Sequence, residues 1–261
     1  MIGMKLYKTR NKFIKRHIRT MKKALKEQLR PVIEHLKYQT ADQLQVDLLI
    51  SDEPVKTAYT DVYKDVGKTF GQNVNKFIRQ KNKIQNLQLK GIEDDIWMQM
   101  MEDWCLQECG KRITQVSAYT RQLIKEKVQT AIDRGISQGM SIRQISDDIM
   151  SKLPREYNKL TAWRAKRIAQ TEVISASNMA SVRAAEQTGL NMKKRWVTRP
   201  YGFALSIQNE RHALLTDLEE QEPKLNEPFI VDGEPLQYPG DPAGSPGNVI
   251  NCHCVQTFEV I

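Results

Sequence analysis

A chain of 261 residues, 40% apolar and 27% charged, is long enough for one large or two modest domains and apolar enough to fold around a core. No run approaches the roughly 18 to 20 apolar residues of a membrane span, the N-terminus lacks the apolar centre of a secretory signal, and the four cysteines argue for a reducing compartment and against a disulfide framework. The net charge of +9 belongs to one end: residues 1–38 hold twelve Lys and Arg against Glu27 and Glu34, so an acidic partner, nucleic acid or an acidic protein surface, is expected there.

That basic arm is also amphipathic. Ile14, Ile18, Met21, Leu25, Leu29, Val32 and Leu36 recur at steps of 4, 3, 4, 4, 3 and 4, one face of a helix. Pro31 removes a backbone donor and is expected to kink or split it near Leu29. The residues assigned to DNA binding are Lys8, Arg10, Lys12, Lys15, Arg16, Arg19, Lys22, Lys23 and Lys26. The alternative, a merely solvated face, fits the uneven balance of charge less well. Membrane-surface binding is disfavoured, because the apolar stripe is regular enough to be core.

The helical pattern continues through residues 39–50, and Ser51-Asp52-Glu53-Pro54 reads as a break with an N-cap. Val55, Tyr59, Val62, Val66, Phe70, Val74 and Phe77 place one side of a helix over 55–81. A polar link, KNKIQNLQLKG, follows. Helices are expected over 92–109, ending near Gly110, and 112–134, ending near Gly135. Cys105 and Cys109 lie one turn apart and read as core thiols rather than half a metal site.

Ser141 is an N-cap candidate for a helix closing at Pro154. A longer helix is expected over about 158–188, with Gly189 as the residue that ends it. Along it Ala162, Ala165, Ala169, Val173, Ala176, Ala180 and Ala184 form a stripe of small residues that lets a neighbour approach closely. Glu172 borders the stripe and is expected to be a tethered structural carboxylate, because a buried unpaired charge is too costly.

After Gly189 the texture changes. KKRWVTR reads as a strand, SIQNERHALLTDL as room for a short helix around Arg211 and His212, and FIVDGEPLQ as two short strands across Asp232-Gly233. NVINCHCVQTFEVI reads as a terminal strand. Seven of the ten prolines lie after residue 199. The expected fold is mainly α: an extended helical N-terminal body, residues 1–154, and a small loop-rich α+β C-terminal module, residues 155–261.

RAKRIAQTEVISASNMA, RWVTR, ERHALLTDL, EPFIVDGEPLQYPGDPAG and INCHC, in that order, resemble the phage Mu F-like minor head proteins, the phage head-morphogenesis family. The resemblance covers about residues 140–258. It places the family helix motif on Arg164, Ile168, Ala169, Thr171, Glu172 and Asn178, the strand tryptophan on Trp196, the R-x-H region on Arg211 and His212, the turn on Tyr238 to Asp241, and the cysteine motif on Cys252 and Cys254. Two positions depart from the pattern: Gln170 and His253 each stand where the family has arginine. The resemblance implies a low-copy virion protein in the head interior or at the portal vertex, present in host cytoplasm during assembly. Its implied partners are portal, capsid and scaffold proteins and double-stranded DNA, with no membrane and no catalysis.

On a strand, Cys252 and Cys254 share a face. Two converging thiolates are half a zinc site. His212 is the third candidate ligand, and Asp241 or His253 the fourth; any zinc would be structural, stapling a loop-rich module. Two buried cysteines packed beside a histidine would give the same sequence. A rival function, a metal-dependent nuclease, would use His212 with Glu210 and Asp217, but the acidic spacing nucleases use is missing, as are a phosphate loop and a nucleophile elbow.

Overall fold

The computed structural model describes residues 2–81, 94–198, 212, 214, 215 and 217–261. The protein is mainly α. Helices α1 (Ile2–Tyr38), α2 (Val46–Leu49), α3 (Glu53–Lys81), α4 (Asp94–Glu108), α5 (Gly110–Ser137) and α6 (Ile142–Glu186) precede a small mixed region. That region holds β1 (Met192–Val197), the hairpin β2 (Phe229–Val231) and β3 (Glu234–Leu236), the one-turn α7 (Pro246–Val249), and β4 (Val255–Val260).

Local chemistry sets several boundaries. The Ser51 hydroxyl accepts the Glu53 N–H at 3.1 Å ahead of α3. Before α6, Ser141 and Gln144 cap each other reciprocally, Gln144 N–H to the Ser141 hydroxyl at 3.3 Å and Ser141 N–H to the Gln144 amide at 2.8 Å. Gly189 follows α6 at φ +66°, a conformation that costs glycine little. In the β2–β3 hairpin, Asp232 and Gly233 take φ of 51° and 80°, as a two-residue turn between right-twisted strands requires.

Other boundaries differ from expectation. Pro31 and Pro154 lie inside α1 and α6, which run through them. Each proline removes one hydrogen bond, and the apolar residues beside it, Val32 and Leu153, are buried at 0% and 5% exposure, so packing outweighs the local penalty. Helix α5 continues to Ser137, past Gly135, which is buried where a Cβ would collide with Ile145. Residues 39–50 form a 3-10 turn (Ala41–Gln43) and α2 rather than a continuous helix. The polar link over 82–91 lies outside the described residues, and the segment around Arg211 largely does.

The chain divides into two compact units of interleaved segments. One comprises Met1–His17, Thr60–Cys109 and Arg167–Ile261; the other comprises Ile18–Tyr59 and Gly110–Lys166. The boundary expected at residue 154 corresponds to neither, for it falls within α6.

In the second unit the apolar face of α1 (Leu29, Val32, Leu36) packs with Ile124 and Val128 of α5 and Ile145, Ile149, Leu153 and Tyr157 of α6. Tyr157 donates to the Leu25 carbonyl at 3.0 Å. Burial raises the Tyr157 phenol above its ordinary value, keeping it a donor. Arg164 is buried, donating to Val116 O at 3.1 Å and Thr120 Oγ1 at 3.0 Å.

In the first unit, Gly67 and Gly71 open α3 to α4: a Cβ at either would sit under 3.0 Å from Met101 or Trp97. Cys105 and Cys109 are buried and not joined in a disulfide, as core thiols. The part of the small-residue stripe that lies in this unit, Ala169, Val173, Ala176, Ala180 and Ala184, is buried. Gly240 approaches that helix, where an added Cβ would lie 3.2 Å from Ser175 Cα. β1 pairs antiparallel with β4, Trp196 opposite Gln256 and Val197 opposite Val255. Trp196, Leu218, Phe229, Val231, Leu236, Cys252 and Cys254 form the adjoining apolar cluster.

Candidate functional site

Cys252 and Cys254 lie in the extended stretch just before β4, not on the strand itself. Extended backbone still sends alternate side chains the same way. His212 meets them: its Nδ1 lies 3.7 Å from Cys252 Sγ and 3.5 Å from Cys254 Sγ. The three donor atoms all fall within 4.8 Å of one another, and the residues are 0%, 0% and 1% exposed.

Their surroundings suit a metal. His212 Nε2 faces Asn248 Oδ1 at 3.3 Å, while the Asn248 amide donates to the Val231 carbonyl at 3.2 Å. That second bond orients the asparagine, so its oxygen takes the Nε2 proton and leaves Nδ1 with a free lone pair toward the sulfurs. The Trp196 indole stands edge-on to the His212 ring at 5.6 Å. The hydrogen bond from Cys254 pulls the Cys252 thiol down, helped by His212 and opposed by burial. Burial pushes Cys254 up. A buried N/S/S donor set with a fixed imidazole tautomer fits a zinc-type ion.

Neither expected fourth ligand joins this group. His253 points to the other side, its Nε2 2.6 Å from the Gln170 amide nitrogen; burial lowers its pKa and favours the neutral acceptor. The Asp241 carboxylate closes its own turn, accepting the N–H groups of Gln237 at 2.8 Å and Ala243 at 3.0 Å. Alternation explains the first miss, since the residue between two same-side cysteines faces away. Arg211 and Glu210 lie outside the described residues.

The helix motif supports the cysteine segment from behind. The Asn178 amide donates to the carbonyls of Pro239 at 2.9 Å and Cys254 at 3.1 Å. Buried Glu172 is tethered by the Tyr63 hydroxyl at 3.1 Å, which also lies 2.9 Å from Ser175 Oγ. Sequence reasoning missed Asn248, which stands in no periodic or charged pattern, and Tyr63, whose helical spacing with Tyr59 and Val66 marks it as core without showing what its hydroxyl meets.

The basic arm sorts into two kinds of residue. Arg10 does not belong to its outer face. It is 7% exposed, donating to Ser177 Oγ and Asn178 Oδ1 at 2.7 Å each and to the Cys254 carbonyl at 3.3 Å, over the Phe70 ring. Arg16 is ion-paired with Asp65 at 2.6 Å, and His17 Nε2 lies 3.0 Å from the same oxygen. Burial alone would raise the Asp65 carboxyl, but these hydrogen bonds outweigh it and hold it below its usual value. Lys8, Lys12 and Lys15 in the first unit, and Arg19, Lys23 and Lys26 in the second, are exposed, with Lys22 half-buried. None of these seven makes an ion pair among the described residues.

The family described as phage Mu protein F like protein matches residues 126–257, just over half of the chain. The chain is 31% identical over 134 residues to a Bacillus subtilis (strain 168) protein named only as uncharacterized protein YqbB. That similarity covers 50% of this chain and 40% of the relative, so the chain spans well under half of that protein's length. No solved structure matches the chain. Among the described residues no helix is long and apolar enough to cross a membrane.

Proposed function

Because the chain belongs to the phage Mu protein F-like, head-morphogenesis family, we propose that it is a minor structural protein of a tailed-phage head. It joins the procapsid through the portal vertex and contacts double-stranded DNA during assembly, packaging or ejection, without catalysing a reaction. The family match over residues 126–257 carries this reading. Protein analysis of purified particles tests it: a few copies per particle are expected, and absence from particles contradicts it.

The DNA contact is assigned to Lys8, Lys12, Lys15, Arg19, Lys22, Lys23 and Lys26. Phosphates supply such binding, and each neutralised phosphate releases counterions. If all seven cations engage, log K should fall with log salt at a slope on the order of −6. Charge reversal at Lys12, Lys15, Arg19, Lys22 and Lys23 should abolish retention in a gel shift at moderate salt.

A structural zinc would be held by His212 Nδ1, Cys252 Sγ and Cys254 Sγ. When bound, it fixes the segment before β4 to His212 and supplies a cross-link that a loop-rich region otherwise lacks. The burial of all three donors supports a staple over a reaction centre. Degradation of plasmid DNA with Mg²⁺ or Mn²⁺, lost in His212→Ala, would instead favour the nuclease.

A further inference from the structure

Helix α4 and the second half of α6, both in the first unit, leave a groove of about 490 Å³. Ile96, Met100 and Trp104 line it at steps of four along α4, and buried Met179 of α6 lines it too. This apolar stripe is wet: Ile96 is 58% exposed, and Met100 and Trp104 are half-buried. The Trp104 ring lies against Tyr63 and Tyr238, with centroids at 5.3 and 6.3 Å, so it is held in place while the unbranched Met100 can adjust. The border is acidic. Helix α4 carries Asp94, Asp95, Glu102, Asp103 and Glu108 and no Lys or Arg. Lys64 pairs with Glu102 at 2.8 Å, but exposed Asp103, which lines the groove, and exposed Glu108, one turn beyond Trp104, make no ion pair among the described residues. Arg183, which also lines the groove, is taken up by Glu186 at 2.9 Å.

We propose that this groove binds a basic amphipathic helix of a protein partner, its apolar side chains on Ile96, Met100 and Trp104 and its Lys or Arg side chains beside Asp103 and Glu108. The free carboxylates repel nucleic acid and anionic lipid and favour a cationic partner. An extended peptide would need backbone partners from a sheet edge, and both walls are helices whose amides are already bonded within the helix; a helix satisfies its own. Length agrees as well. From Ile96 to Trp104 the stripe runs roughly 12 Å, and anchors at i, i+3 or i+4, and i+7 of a partner helix span roughly 10 Å. This surface is separate from the α1 cations and from the His212 group, and it does not rest on the head-protein reading.

Fluorescence anisotropy of labelled model peptides added to the full chain tests the proposal. A helical Leu/Lys peptide with its leucines on one face should bind, and more weakly as salt rises. A scramble of the same composition and a Leu/Glu peptide of the same pattern should each bind about tenfold more weakly. Ile96→Ala should weaken the Leu/Lys peptide about tenfold, and at 58% exposure the truncation leaves the core intact. Asp103→Asn with Glu108→Gln should weaken it about fivefold and flatten the salt dependence. Failure of the Leu/Lys peptide to bind, unchanged affinity in Ile96→Ala, or equal binding of the scramble overturns the proposal. So does self-association of the chain in light scattering that Ile96→Ala abolishes, which would identify a second copy as the occupant.

Discussion

The side-chain amide of Gln170 lies 2.6 Å from Nε2 of His253, so two positions far apart in the chain are each other's partners. An amide N–H donating to an imidazole nitrogen needs that ring neutral, and burial lowers the His253 pKa in the same direction. The pair ties α6 to the residue between the two cysteines. Gln170→Ala and His253→Ala should each cost on the order of 1 kcal/mol in urea unfolding, and the double variant less than their sum. Strict additivity would mean that the contact contributes nothing.

Arg10 and Lys12 lie two residues apart on α1 and should behave as opposites. Arg10→Ala leaves the Asn178 oxygen and the Cys254 carbonyl short of a buried donor and should cost on the order of 3 kcal/mol. Lys cannot replace the guanidinium fork, so Arg10→Lys should recover little of that. Lys12→Ala, on the exposed face, should change stability by no more than about 0.5 kcal/mol while weakening DNA retention. Thermal melts beside gel shifts check both halves.

Lys194 offers a pH signature. It is 0% exposed, with Nζ 2.8 Å from the Gln237 carbonyl and 5.1 Å from the centre of the Phe229 ring. Burial lowers its pKa to about 8 from 10.5. The unfolded chain then holds this proton more tightly than the folded one between those values. Stability should therefore rise with pH from about 8 to about 10, by at most about 3 kcal/mol from this group. Lys194→Met should remove that rise relative to the wild type; identical pH profiles for the two proteins would contradict the assignment.

Much of the fold was legible because it rests on local rules. The steps of Leu29, Val32 and Leu36, the Ser141 cap, Gly189 and the Asp232-Gly233 turn each act within a few residues, and each stands as expected. Pro31 and Pro154 misled, since a local penalty of one hydrogen bond is outweighed by packing that comes from distant segments. The interleaving of two units was invisible for the same reason. At the site, Cys252, Cys254 and His212 were readable from residue type and spacing. Asn248, Tyr63 and the inward role of Arg10 depend on contacts across tens to hundreds of positions, which no local pattern encodes.

The most direct test of the stapled C-terminal region is the metal itself. Elemental analysis of the purified chain should find one zinc per molecule, and a strong chelator should lower the melting temperature by several degrees. Cys254→Ser should abolish both the zinc and the chelator's effect, while His253→Ala keeps the metal. A wild-type protein that carries no zinc, takes none up and melts identically with and without chelator would contradict the account, leaving His212, Cys252 and Cys254 as ordinary core.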